Sequence, residues 1–100
     1  MTTKVALEQI SDLYEISEYM EDEQLTMALE FVAKIILNPD IPQGAVMIEL
    51  VRMQAIAAKL AMKATWMANV DKSNRSKKNL YYTAAEQVNL LCQTLKYYVK

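Results

Sequence analysis

The sequence predicts an all-α fold of four helices. It is built on a long antiparallel helical hairpin (about 44–70 and 79–99), with two shorter N-terminal helices packed across it. Three observations carry that expectation. Gly44 is the only glycine, and Pro39 and Pro42 are the only prolines; sandwiches and hairpin-rich sheets need more turn residues than that. Apolar residues recur at spacings of three and four along most of the chain, which is the helical period. The apolar fraction is 53%, above the ~45–50% of ordinary domains, so a core of this size needs help to hide it all. One domain, 1–100, is expected, with self-association or a partner covering the surplus.

The first helix is expected from about Val5 to Met20, with Leu7, Ile10, Leu13, Tyr14 and Met20 on one broad face. Thr2 or Thr3 is the candidate N-cap. The second runs from about Glu23 to Leu37, where Leu25, Ala28, Leu29, Val32, Ile35 and Ile36 follow the i, i+3, i+4, i+7 rule. Glu21, Asp22 and Glu23 stand at its start, where negative charge suits the helix dipole. Asn38-Pro39-Asp40-Ile41-Pro42 ends it, since each proline disfavours helix in the residue before it.

The third helix is expected from Gln43 or Gly44 to about Val70, roughly 40 Å at ~1.5 Å per residue. Leu50, Met53, Ala57, Leu60, Ala64 and Met67 alternate spacings of three and four as a heptad seam does. Val51, Ala55, Ala58, Met62 and Trp66 form a second apolar stripe. A helix with two stripes is either central or meets a partner. Ala57, Ala61, Ala64 and Ala68 give a line of small side chains for close helix approach. Residues 71–78 read as a polar loop, and the fourth helix runs from about Asn79 with Tyr81, Ala84, Val88, Leu91, Leu95 and Tyr98 as its seam. Two such helices joined by a short loop form an antiparallel hairpin.

Composition excludes several chemistries. The chain has no histidine and one cysteine, Cys92, so zinc, haem and iron–sulfur sites lack their usual ligands and a Ser-His or Cys-His nucleophile is out of reach within one chain. No cofactor is expected. Cys92 lies on an apolar helix side and reads as a packing thiol; a lone cysteine suits a reducing compartment. Lys4 is followed by acidic residues rather than a long apolar core, and Val46 to Met67 carries four charges, which argues against a signal peptide and a membrane span. A cytoplasmic protein is expected.

Charge is segregated although the total is only −1. Residues 1–40 carry nine acidic and two basic side chains, a net of −7; residues 41–100 carry three and nine, a net of +6. Complementary packing explains this, and so do head-to-tail contacts between subunits steered by opposite potentials. Glu15, Glu18, Glu21, Asp22 and Glu23 have no EF-hand spacing and read as a solvated helix end rather than a divalent-cation site. Lys72, Arg75, Lys77 and Lys78, followed by Tyr81 and Tyr82, join cations for phosphate with aromatics for bases, as single-strand binding requires. The alternative is a solubilising loop. The seven methionines and Trp66 suit an adaptable groove, a core or a subunit interface.

The segment Val51-Arg52-Met53-Gln54-Ala55 through Ala61-Met62-Lys63-Ala64, then a polar loop and a Tyr-bearing helix, resembles the recombination mediators of the UvsY type in tailed phages over about half the chain. That resemblance implies a phage-encoded, helical, oligomeric protein of the host cytoplasm that helps load a recombinase onto single-stranded DNA. It also implies Lys59, Lys63, Lys72, Arg75, Lys77 and Lys78 as DNA contacts; Tyr82 joins them as a stacking candidate.

Two functions follow as expectations. The first is a non-enzymatic, self-associating interaction protein that binds another macromolecule, a second protein foremost. Leu50, Met53, Ala57, Leu60, Ala64, Trp66, Met67, Leu91 and Leu95 are then core or oligomer interface. The second is a single-stranded nucleic-acid accessory protein using the basic loop 72–78. An enzyme ranks last, because general acid–base work has few players here.

Overall fold

The computed structural model describes residues 2–38, 40, 42–69 and 75–98, without the side chains of Thr2, Arg75 and Ser76. It contains four helices, α1 (Thr2–Met20), α2 (Glu23–Ile36), α3 (Gln43–Asn69) and α4 (Arg75–Leu95), and a final 3-10 turn at Lys96–Tyr98. No strand occurs among the described residues. Each helix packs on two others in the ring α1–α2–α3–α4, with α1 returning against α4, and the α3–α4 contact is the most extensive.

All neighbours in this ring are antiparallel. Tyr14 and Ser17 of α1 hydrogen-bond Glu30 and Thr26 of α2. Gln24 to Phe31 of α2 lie beside Lys59 back to Arg52 of α3. Lys63 of α3 sits over the Tyr81 ring of α4, 5.2 Å from its centroid. Thr3 and Tyr98 meet hydroxyl to hydroxyl at 2.7 Å. The result is an up-down-up-down bundle measuring 47 × 21 × 21 Å.

The α1–α2 turn is the tightest piece of local chemistry. The Glu21 N–H donates to the Glu18 carbonyl and the Asp22 N–H to the Ser17 carbonyl, which is the Schellman pattern of a helix C-terminus. Glu21 occupies its left-handed position at φ 58, where glycine is usual. Asp22 then caps α2 directly, its carboxylate accepting from the Leu25 N–H at 3.1 Å. Thr3 lies inside α1, which begins at Thr2, and its hydroxyl contacts that of Tyr98 rather than the first turn. At the start of α3 the Pro42 carbonyl accepts from the Ala45 and Val46 N–H groups.

The core runs the length of the bundle. Leu13, Leu25, Leu29, Val32, Val46, Met53, Val88, Leu91 and Leu95 are its largest fully buried apolar side chains. Ala28, Ala57, Ala64, Ala84 and Ala85 are buried among them and let the helices approach closely. Ser17 is fully buried yet satisfied, since its hydroxyl donates to the Tyr14 carbonyl and accepts from Thr26 Oγ1.

Three boundaries differ from the sequence reading: α1 begins at Thr2 rather than about Val5, α4 gives way at Leu95 to the 3-10 turn rather than running to 99, and its start moves as well. α4 begins at Arg75, not near Asn79, so Arg75 to Lys78 form its first turn. These residues are polar but are good or neutral helix formers with no Gly or Pro among them, so polarity alone was a poor loop signal. Lys72 lies outside the described residues.

Candidate interaction surface

The α3 seam is consumed within the chain. Leu50, Met53, Ala57, Leu60, Ala64 and Met67 are all buried, as are Leu91 and Leu95 of α4. Trp66 is different: it is 56% exposed, and so stands outside the core of the single chain.

Trp66 belongs to the second stripe, and that stripe faces outward along its length. Ile48 is 61% exposed, Val51 58% and Met62 72%, with Ala55 and Ala58 exposed between them. Arg52 and Lys59 flank it on one side and Gln54 on the other, so its centre carries no charge. A sequence pattern places two apolar faces on α3; the bundle covers only one.

α2 extends this surface. Met27 and Phe31 are about half exposed and, with Ala28, Ala55 and Ile56, line a groove of about 360 Å³ between α2 and α3, with Gln24, Arg52 and Lys59 around it. The sequence reading took only the buried face of α2 and passed over these two. Their signal was available: an apolar i, i+4 pair left over once the core positions are assigned.

Arg52 is partly neutralised. Its Nη1 lies 3.2 Å from Glu49 Oε1. Glu49 is buried, and its Oε2 has no hydrogen-bond partner. Lys59 therefore remains the principal cation at the groove.

The hairpin is longer than the helices that cover it. The α1–α2 turn, Met20 to Gln24, lines a second groove with Lys59, Leu60, Lys63 and Tyr81. Those residues mark the level at which α1 ends and α2 begins. Residues 64–69 of α3, with the first turn of α4, therefore project past that turn, by roughly 9 Å at ~1.5 Å per residue. Trp66 stands on this projection, where it lines a shallow pocket with Ala61, Met62, Thr65 and Asn69. The projection leaves a step beside it.

The proposed nucleic-acid residues divide. Lys77 is exposed, Lys78 half-buried and Tyr82 40% exposed on the first turns of α4. Lys59 and Lys63 instead line the groove whose far wall is Glu21, Asp22 and Glu23. Opposite charge there offsets an approaching phosphate, and part of the −7/+6 segregation is thus matched inside the fold. Lys63 also faces the Tyr81 ring, a cation–π contact.

The remaining titratable groups of note are structural. Burial pushes the Cys92 thiol above its ordinary 9.0, against a smaller lowering by Lys96, so it stays a protonated packing group. Tyr14 is raised chiefly by the negative charge of Glu30, whose Oε1 accepts its hydroxyl at 3.3 Å. Among the described residues no group of three or more His, Cys, Asp or Glu is placed to hold a metal ion. No helix among them is long and apolar enough to cross a membrane. No protein-family model, curated protein or solved structure matches the chain.

Proposed function

We propose that this chain is a non-enzymatic helical interaction protein that self-associates and acts by binding another macromolecule. The observation that carries this reading is the uncharged outer stripe of α3, continuous from Ile48 to Met62 and Trp66 and joined by Met27 and Phe31 of α2. Soluble monomers seldom leave a contiguous apolar patch above about 300–600 Å² uncovered, and larger ones mark interaction sites. Light scattering over a concentration series tests it: a mass above 11.4 kDa that falls on dilution supports self-association, and a strictly monomeric protein refutes it.

A second reading, a phage-type accessory protein for single-stranded nucleic acid, draws support from Lys77, Lys78 and Tyr82 at the projecting end of the hairpin. It ranks lower because Lys59 and Lys63 lie beside the acidic α1–α2 turn. A fluorescent single-stranded oligonucleotide at low salt separates the two. Binding that weakens steeply with salt and disappears in a Lys77→Ala/Lys78→Ala variant supports the second reading; no binding removes it.

A further inference from the structure

We infer that the outer face of α3 pairs with the same face of a second copy in an antiparallel, twofold arrangement, in which Trp66 of each copy docks into the α2–α3 groove of the other. The inference rests on the self-association proposed above and specifies its geometry.

Three features select the second copy as the occupant. The first is shape. α2 lies beside Arg52 to Lys59 and continues toward the start of α3, while the hairpin end bearing Trp66 projects past the α1–α2 turn and leaves a step. An antiparallel copy with its twofold axis near Leu60 and Ala61 sets the α2 of each molecule into the step of the other. Met62 then faces Ala58 and Ala55 faces Thr65, a large residue against a small one, and the small side chains permit close approach. Sliding the pair by one heptad, so that the axis falls between Ala55 and Ala58, would instead drive the two α2 helices against each other.

The second feature is chemistry. In the stepped register Trp66 lies between Arg52 and Lys59 of the opposing groove, against Met27, Phe31 and Ala55. The groove supplies an apolar floor, methionine sulfur for the ring edge, an aromatic neighbour and a cation for the ring face. The third feature is area. Met27, Phe31, Val51, Met62 and Trp66 are each about half exposed or more; with the alanines between them a pair covers on the order of 1,200 Å² in total, the lower edge of specific interfaces. The pair is therefore reversible and separable by dilution.

Trp66 is the only tryptophan, so its emission reports the docking directly. Wild-type protein is diluted through the mass transition while tryptophan emission and acrylamide quenching are followed, in parallel with Ala55→Glu. That substitution places a carboxylate in the groove but keeps α3 supported, since Glu at 55 pairs with Lys59 at i+4; circular dichroism checks that it folds, and Phe31→Ala serves as a second groove variant. The expected result is a shift to shorter wavelength and loss of quenching that track dimer mass, both lost in Ala55→Glu. Association that leaves Trp66 emission and quenching unchanged, or that survives both groove variants with the emission shift intact, overturns the docking and leaves self-association standing. A protein that stays monomeric overturns both.

Discussion

Glycine in place of Glu21 is expected to stabilise this helical protein. Glu21 holds φ 58 at the end of α1, and the left-handed region costs an L residue with a Cβ roughly 1–2 kcal/mol. Glycine escapes that cost but loses more chain entropy on folding, roughly 0.5–1 kcal/mol. The backbone balance is a gain of about 0.5 kcal/mol. The carboxylate adds to it: Glu21 neighbours Asp22 and Glu23 and sits at the negative end of the α1 dipole, where an anion costs a few tenths of a kcal/mol. Glu21→Gly should therefore stabilise by about 1 kcal/mol, raising the melting temperature by roughly 4–8 °C for a domain of this size. Urea unfolding followed by helicity measures it, with an unchanged m-value showing that the surface exposed on unfolding is the same. Glu21→Ala is the control, because alanine removes the charge and keeps the backbone strain. If glycine were no more stabilising than alanine, the left-handed strain would not exist and the reasoning would fail.

Four further outcomes are expected. Gly44→Ala should stabilise by about 0.5–1 kcal/mol in the same assay, because Gly44 is inside the first turn of α3 and nothing lies within 4 Å of an added Cβ. Leu60→Asp should lose about 3 kcal/mol or more and unfold or dissociate the protein, since Leu60 is 4% exposed and would bury an unpaired charge; native helicity and mass in that variant would contradict the assignment. Arg52→Ala should destabilise by about 1–2 kcal/mol by stranding the buried Glu49, whereas Glu49→Leu should be neutral or stabilising, a contrast that chemical denaturation resolves. Cys92 holds its proton more tightly folded than unfolded, so its contribution is fully present below pH 9.0 and is lost as pH rises through the raised value; urea midpoints measured across that range should fall less in Cys92→Ala.

The fold was legible because its signals are local. The prolines fix the α2–α3 break, and the seam from Leu50 to Met67 names the buried face of α3 residue by residue. Asp22 as the N-cap of α2 was hidden among three acidic neighbours, and only the backbone distinguishes a cap from a charge cluster. The start of α4 was missed because Arg75 to Lys78 are polar without being helix breakers. The candidate surface was half legible. The sequence shows that α3 has two apolar faces and marks the seam as the buried one, but that the other face stays uncovered by α1, α2 and α4 is a tertiary fact. Met27 and Phe31 join the surface for the same reason: α2 is a one-sided helix by pattern, and its residual apolar pair acquires meaning only beside Ala55 and Ile56. The charge segregation read as an interaction signal is partly local too, since the α1–α2 turn lies across a groove from Lys59 and Lys63.

The hydroxyl contact between Thr3 and Tyr98 spans 95 positions of sequence and closes the helices into a ring. A ring has no preferred starting point. A circular permutant that joins residue 98 to residue 3 through a short linker and opens at Asn38, an exposed turn position after α2, retains every helix pair of the bundle while exchanging one local pair for one distant pair. The pairing of α4 with α1 would become a hairpin, and that of α2 with α3 would become the last closure. Comparing the refolding of the two molecules would show whether the order of assembly follows the chain or the packing.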